Sequence, residues 1–383
     1  MIYLDNAATT YPKPPQVSAA MQRALRMYGA NPGRAGHRMS LRTAEAVFQV
    51  RERAARFFGA PGPENVAFVM NCTQALNMVI KGAVKQGGHV VTSCLEHNAV
   101  MRPLETLRRR NVITYTEVQV VPGDNDATMD AFRKAMQEDT CLCVCTHVSN
   151  VWGIRLPVER IAALCHAYQV PICVDCAQSA GILPISMAEN GIDYLCAPGH
   201  KGLYGPMGTG LLLALNGASL DTLIEGGTGT ASESLVQPEE MPERFESGTA
   251  NVPGILGLGA GIAFVQRMGI QNLYEKESRL ACGVYDRFKR SGKVELYTPR
   301  PEPPYFAPLL SFNLPDMDSE ETAAKLDRHG FAVRAGLHCA PRAHAFYGTL
   351  DRGAVRMCPS AFTGRAQTEA FADAVLQIAG GRH

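Results

Sequence analysis

The residues best suited to chemistry lie in Ala197-Pro-Gly-His-Lys-Gly-Leu-Tyr-Gly-Pro-Met-Gly-Thr-Gly210, where Lys201 follows a histidine at the end of an apolar run and precedes four more glycines. A phosphate-binding P-loop carries its lysine after the glycines and before Ser or Thr. Here Lys201 precedes most of them, and a lysine held by tight turns at a strand end suits a Schiff base instead. Asp175 closes the preceding apolar run, and a carboxylate there is the partner expected for a pyridinium nitrogen, because it favours the charged form of the ring. Taken alone, Asp175 reads as a helix N-cap or a turn residue. Thr73 and Gln74 sit where a strand passes into a helix, so free amides there could bind phosphate; the plain alternative is an ordinary threonine cap. His97 could lie flat on an aromatic ring or be a satisfied histidine.

The elements that must position these side chains follow from periodicity. From about Asn65, short β-branched runs alternate with amphipathic stretches, the pattern of βαβ units and a parallel sheet. Strands are expected at Val66 to Met70, His89 to Thr92, Cys141 to His147, Ile172 to Asp175 and Tyr194 to Ala197, and a glycine-rich stretch between Gly202 and Asn216 surrounds Leu211 to Leu215. Helices are expected at Thr73 to Gln86, Asn98 to Arg110 and after Pro157. Strand ends in an open α/β sheet are where ligands bind. Gly226 to Asn251 reads as a long ordered loop, and Ile255 to Arg290 as one helical region. It leads to strands near Leu309 to Asn313 and Phe331 to Arg334. The expected division is a large cofactor-binding domain over 14–255 and a smaller α/β domain over 256–383, with 1–13 packed nearby.

With 383 residues, 46% of them hydrophobic and 19% charged, the chain is long enough for more than one domain and is neither disordered nor collagenous. A formal net charge of +1 provides no field to draw it to nucleic acid or to a membrane surface. The first ten residues lack the basic and apolar regions of a secretory signal, and no run is long enough for a membrane span, so a cytoplasmic protein acting on a small molecule is expected. Twelve cysteines lie mostly in apolar runs such as Cys141, Cys143 and Cys145, which favours buried free thiols. Cys173 with Cys176, and His338 with Cys339, lack the second pair a structural zinc would need.

Six groups in order carry a family resemblance: Tyr3-Leu-Asp-Asn-Ala-Ala-Thr-Thr10, Glu96-His-Asn98, Ser149-Asn150, Asp175 with Gln178, Gly199-His-Lys201 and Arg244-Phe-Glu-Ser-Gly-Thr249. Together they resemble the cysteine desulfurases and selenocysteine lyases of the class V aminotransferase fold, which use pyridoxal 5'-phosphate. The resemblance implies an aminotransferase-like α/β fold, with a large domain built on a mostly parallel sheet and a smaller C-terminal α/β domain. It implies that Lys201 bonds the cofactor, Asp175 pairs with its ring nitrogen, Gln178 bonds its ring oxygen and His97 stacks on it and helps in proton transfer. Thr73, Gln74, His200 and, from the neighbouring subunit, Thr249 would hold the phosphate, making a homodimer with shared sites. Asn150 and Arg356 would bind the amino-acid substrate. Arg334-Ala-Gly-Leu-His-Cys-Ala-Pro341 resembles the compact catalytic-cysteine loop of one group, which makes Cys339 the nucleophile. The implied reaction converts L-cysteine to L-alanine with a persulfide on Cys339, from which a sulfur-acceptor protein could be served. Selenocysteine lyase, another class V aminotransferase or lyase, and a non-catalytic binding protein are the alternatives. Pro198 stands where the family usually has Ser or Thr, Cys72 replaces a common Thr, Ala361-Phe-Thr-Gly364 replaces an aromatic-Asn-Thr sequence, and Leu337 replaces a histidine. That last change leaves His338 to tune the thiol.

Overall fold

The computed structural model describes residues 1–33, 36–230 and 232–381. Ala231 in the long loop, and Arg382 and His383 at the end of the expected smaller domain, lie outside the described residues. The chain begins with β1 (Ile2–Tyr3), α1 (Pro15–Met27) and α2 (Arg38–Phe57). Strand and helix then alternate through β2 (Val66–Val69), α3 (Cys72–Ala83), β3 (Gly88–Ser93), α4 (Asn98–Arg109), β4 (Ile113–Val118) and α5 (Asn125–Ala135). The alternation continues with β5 (Thr140–Thr146), α6 (Val158–Ala167), β6 (Ile172–Asp175), α7 (Met187–Asn190), β7 (Tyr194–Pro198) and β8 (Gly210–Ala214). β2 to β8 make one seven-stranded sheet in the order β2-β8-β7-β6-β5-β3-β4. β8 runs antiparallel to both its neighbours and the remaining pairs are parallel.

The apolar runs are continuous because both faces of this sheet are covered. Along β5, Leu142 and Val144 pack with Leu76, Val79 and Leu104 on one side, while Cys143 and Cys145 pack with Phe132, Trp152 and Ile161 on the other. Cys143 and Cys145 are fully buried free thiols, as is Cys173, whose Sγ lies 3.9 Å from that of Cys196.

Past the long loop come α8 (Val252–Met268), α9 (Ile270–Ser291), β9 (Glu295–Leu296), β10 (Leu310–Asn313) and α10 (Ser319–Arg328). They are followed by β11 (Phe331–Ala332), α11 (Pro341–Phe346), β12 (Val355–Met357) and α12 (Arg365–Ala379). The single helical region expected over Ile255 to Arg290 is in fact two helices that meet at 79°. Gly269 sits between them at φ +80°, a conformation that ends α8 and that side chains with a Cβ rarely adopt. β12, β10 and β9 form a small antiparallel sheet over a core of Leu4, Phe288, Phe312 and Phe371. β1 lies parallel to β11, with Ile2 opposite Phe331, so the first residues are built into the same core as the last.

Candidate active site

The carboxyl ends of β3, β5, β6 and β7 open onto a cavity of about 190 Å³. Seven residues singled out in the sequence line it: Thr73, His97, Asn150, Asp175, Gln178, His200 and Lys201.

Two features of the backbone bring these side chains together. Asn71 caps α3 by accepting the amide of Gln74 (2.9 Å), which leaves the first-turn amides of Cys72 and Thr73 at the cavity. The cap is therefore Asn71 and not Thr73, whose hydroxyl remains available. β8 can pass this cap only because residue 210 is glycine, since a Cβ there would lie 2.8 Å from the carbonyl carbon of Asn71. Across the cavity, Thr9, Thr10 and Lys13 all donate to the carbonyl of His200, at 2.7–3.2 Å, and anchor the turn that carries Lys201.

The electrostatics of this wall favour neutral bases. Burial, reinforced by the guanidinium of Arg356, pulls the Lys201 amine below its ordinary value, with Asp175 pulling the other way. His97 is lowered to about 4 by burial and by Lys201, and its Nδ1 accepts the amide of Ala99 (3.0 Å), so the ring is neutral with its proton on Nε2. His200 is likewise lowered to about 4 by burial and by the cations of Lys201 and Lys13. Asp175 is 2% exposed, and burial raises its carboxyl. Its Oδ1 accepts the amide of Ala177 (2.8 Å) and the thiol of Cys72 (3.4 Å). Lys13 is the second amine near this wall, lowered to about 8 by burial but tied to the Thr10 hydroxyl and the His200 carbonyl.

Arg356, 2% exposed, projects from β12. Its Nη1 donates to the carbonyl of Asn150 (2.8 Å) and its Nη2 to Asp5 Oδ1 (3.0 Å), while Nε has no partner among the described residues. Asp5 reaches it because the chain after β1 runs alongside Cys358 as an isolated parallel bridge. Nothing in the local sequence signals this pair, whose members stand 351 positions apart.

Cys339 occupies a different setting. It is the exposed cysteine of the chain, on a turn in which both His338 (φ +49°) and Cys339 (φ +57°) adopt the left-handed conformation. The turn is docked by its own carbonyls: His338 O accepts Asn150 Nδ2 (2.8 Å) and Cys339 O accepts the amide of Asn98 (2.7 Å) at the start of α4. The expectation that His338 tunes the thiol is corrected here. Its ring is 5% exposed, donates from Nε2 to Ala354 O (2.9 Å) and stacks on His344, and burial together with Arg356 holds it neutral.

Two expected phosphate ligands stay off this cavity within the chain. Gln74 turns its side-chain carbonyl back to the amide of Met70 (2.8 Å), a role set by the end of β2. Thr249 lies on a separate groove of about 970 Å³ between α2 and the long loop. Pro198 lines the cavity where a hydroxyl was the common family choice, and Phe362, in the altered C-terminal segment, stacks on Phe264 at 5.6 Å.

Whether these residues suit a phosphorylated pyridine aldehyde can be judged from the polar atoms they leave unpaired. His200 Nδ1, Asn150 Oδ1 and Arg356 Nε are buried and without partners among the described residues, a depressed amine and a buried carboxylate face one cavity, and a helix N-terminus borders it. The set offers an amine for the aldehyde, an acid for the ring nitrogen, amides for an anion and donors for an amino acid, and it fits.

The model of the family described as aminotransferase class-V matches residues 2–369. A probable cysteine desulfurase of Methanothermobacter thermautotrophicus is 34% identical over 348 residues, covering 88% of this chain and 84% of that protein. A cysteine desulfurase of Escherichia coli is 32% identical over 358 residues, covering 91% and 86% respectively. Among solved structures, the apo cysteine desulfurase from Thermococcus onnurineus superposes with a TM-score of 0.92 at 29% identity, over 99% of this chain and 95% of that one.

Proposed function

The chain belongs to the class V aminotransferases and, within them, to the cysteine desulfurases; from that premise we propose that it takes sulfur from L-cysteine, yielding L-alanine and a persulfide on Cys339, with pyridoxal phosphate bound in the Lys201 cavity. The observation that carries the reading is that a depressed amine, Lys201, and a buried acid, Asp175, share one wall, while the Cys339 turn is docked on Asn150 and the start of α4 at its rim. When bound, the cofactor supplies an electron sink for the pair left at Cα on deprotonation.

The chain's own residues supply the rest. Asp175 would keep the ring nitrogen protonated, Gln178 would meet the ring oxygen and His97 would cover the ring face. Thr73, His200 and the first amides of α3 would hold the phosphate, completed by Thr249 of the partner subunit. Leu41 and Phe48, 63% and 45% exposed, border the groove that holds Thr249, which supports a homodimer with shared sites. Arg356 would bind the substrate carboxylate through its unused Nε–H and remaining Nη hydrogens, while Asp5 and Asn150 O hold the guanidinium still.

Burial leaves Lys201 as a base able to take the Cα proton at Nζ. The Cys339 thiolate then attacks the substrate sulfur. An S–S bond forms as the Cβ–S bond breaks, the electron pair stays with the substrate, and protonation there completes L-alanine. Twelve free cysteines, nine of them buried, support work in the reducing cytoplasm.

The test is to incubate the holoprotein with L-cysteine and measure alanine together with the mass of each cysteine peptide. Alanine formation with added sulfur on Cys339, and none on Cys143 or Cys145, is expected. A keto acid in place of alanine, or sulfur carried elsewhere, overturns the proposal.

A further inference from the structure

Behind the substrate clamp lies a second, smaller cavity of about 20 Å³, lined by Asn6, Thr10, Gln178, Tyr204, Glu277 and Cys358 among others, with Lys201 at its border. Its volume suits a single water molecule, and its polar lining could hold one. Glu277, in the middle of α9, is 1% exposed, and neither of its carboxyl oxygens has a hydrogen-bond partner among the described residues. A buried carboxyl without partners is costly, and neither the fold nor the chemistry above uses it.

Cys358 and Pro359 line the same cavity as Glu277, and they open the segment Cys358–Ala361, which directly follows β12, the strand that carries Arg356. The segment is pinned at both ends. The Cys358 amide donates to Leu4 O (2.7 Å) and its carbonyl accepts Asn6 Nδ2 (2.9 Å); at the other end Ala361 O accepts Lys276 Nζ (2.6 Å) and the Ala361 amide donates to the Tyr204 hydroxyl (2.8 Å). The first two residues of the segment, Cys358 and Pro359, form part of the lining of the cavity that Glu277 also lines.

We propose that Glu277 is a positioning residue whose carboxyl, through water held in this cavity, fixes the Cys358–Ala361 segment and thereby the set of Arg356 on the substrate carboxylate. The proposal rests on the desulfurase reading. Burial raises Glu277 to about 8, opposed by Lys276, whose ammonium is already given to Ala361 O. At neutral pH the carboxyl is therefore an O–H donor as well as an acceptor. Above its pKa the donor is lost, and a bare carboxylate faces the Tyr204 hydroxyl and the Cys358 thiol, both held protonated by burial. Lys201 borders the cavity, and Arg356 and Asp5 bear on it through Cys358.

Glu277→Gln keeps the shape and cannot ionise. In the holoenzyme, the ratio of the parent's KM for L-cysteine to the variant's is expected to rise roughly tenfold between about pH 7 and pH 9, while the kcat ratio stays level. In denaturant titrations, the variant's folding equilibrium constant should gain more than about tenfold on the parent's between about pH 6 and pH 9, since a raised carboxyl pKa weakens the fold as the group ionises. KM profiles that run parallel, or stability profiles that run parallel, overturn the proposal. If the glutamine variant does not fold, Glu277→Met, equally unable to ionise, is read by the same two profiles. Failure of the desulfurase reading would leave L-cysteine unprocessed by parent and variant alike; failure of this proposal would appear as parallel profiles in an enzyme that processes it.

Discussion

Around Lys201, the histidines are held neutral, the carboxylate is buried, and the anchoring turn is tied by three side chains and one amide to a single carbonyl. Around Cys339, the side chain is exposed and the backbone does the holding, through two left-handed residues whose carbonyls are bonded to Asn150 and Asn98. The contrast teaches that desolvation is what weakens a buried amine as a base, whereas an exposed thiol owes its placement to the backbone that carries it. Neighbours in sequence do not decide which setting a residue receives: His338 and Cys339 are adjacent, yet one is core and the other surface.

The contrast breaks most visibly at the lysine. Lys201→Ala should lose turnover by at least roughly 10³-fold and lose the visible absorbance of the holoprotein, because Lys13, the other nearby amine, is held off the cavity by Thr10 and His200. An active, coloured variant would show that Lys13 can substitute. On the open side, Cys339→Ala should lower sulfur release from L-cysteine by about 10²-fold or more while leaving that absorbance intact. Alkylation of the native protein should label Cys339 well ahead of Cys141 and Cys358, with the nine buried thiols reacting only on unfolding. Between the two regions, Arg356→Lys removes the planar fork and should raise KM for L-cysteine roughly ten- to hundredfold, or about 1.5–3 kcal/mol. An unchanged KM would place the substrate carboxylate elsewhere.

The smallest effect tests how dry the lysine side is. His147, 1% exposed, is lowered to about 3 by burial and by Arg155. Below its ordinary value of about 6.5 the unfolded chain binds a proton that the fold refuses, so this stabilisation is full above that pH and is lost as pH falls toward 3. His147→Gln should therefore lose less stability than the parent between about pH 7 and pH 4, by about 1–2 kcal/mol, in denaturant titrations. Parallel acid profiles would mean that water reaches the ring.

Much of this arrangement was legible in the sequence. Five of the seven strands of the large sheet lie within a residue or two of the expected ends, because strands covered on both faces leave a continuous apolar signature, whereas β4, half-exposed along much of its length, and β8 were not read as strands. Lys201, Asp175 and His97 could be singled out since each ends or follows such a run, and Asn150 through the family resemblance alone. What the sequence hid was set by tertiary proximity. Asp5 meets Arg356 only through strand pairing, Glu277 looks like one more polar residue of an amphipathic helix, and Gly269 divides a helix whose pattern runs through it. The misreading of His338 has the same origin, since its charge depends on burial against His344 and Ala354.

The pairing of β1 with β11, and of Asp5 with the residue after Met357, also sets an order of events on the ribosome. At about 5–20 residues per second, roughly 15–65 s separate the emergence of the first strand from that of its partner. Lys201 and the strand that follows its turn, β8, have left the ribosome well before then. A nascent chain can thus carry Asp175 and Lys201 while Asp5 still waits for its partner, and the guanidinium of Arg356 is fixed only when the earliest residues close against some of the latest.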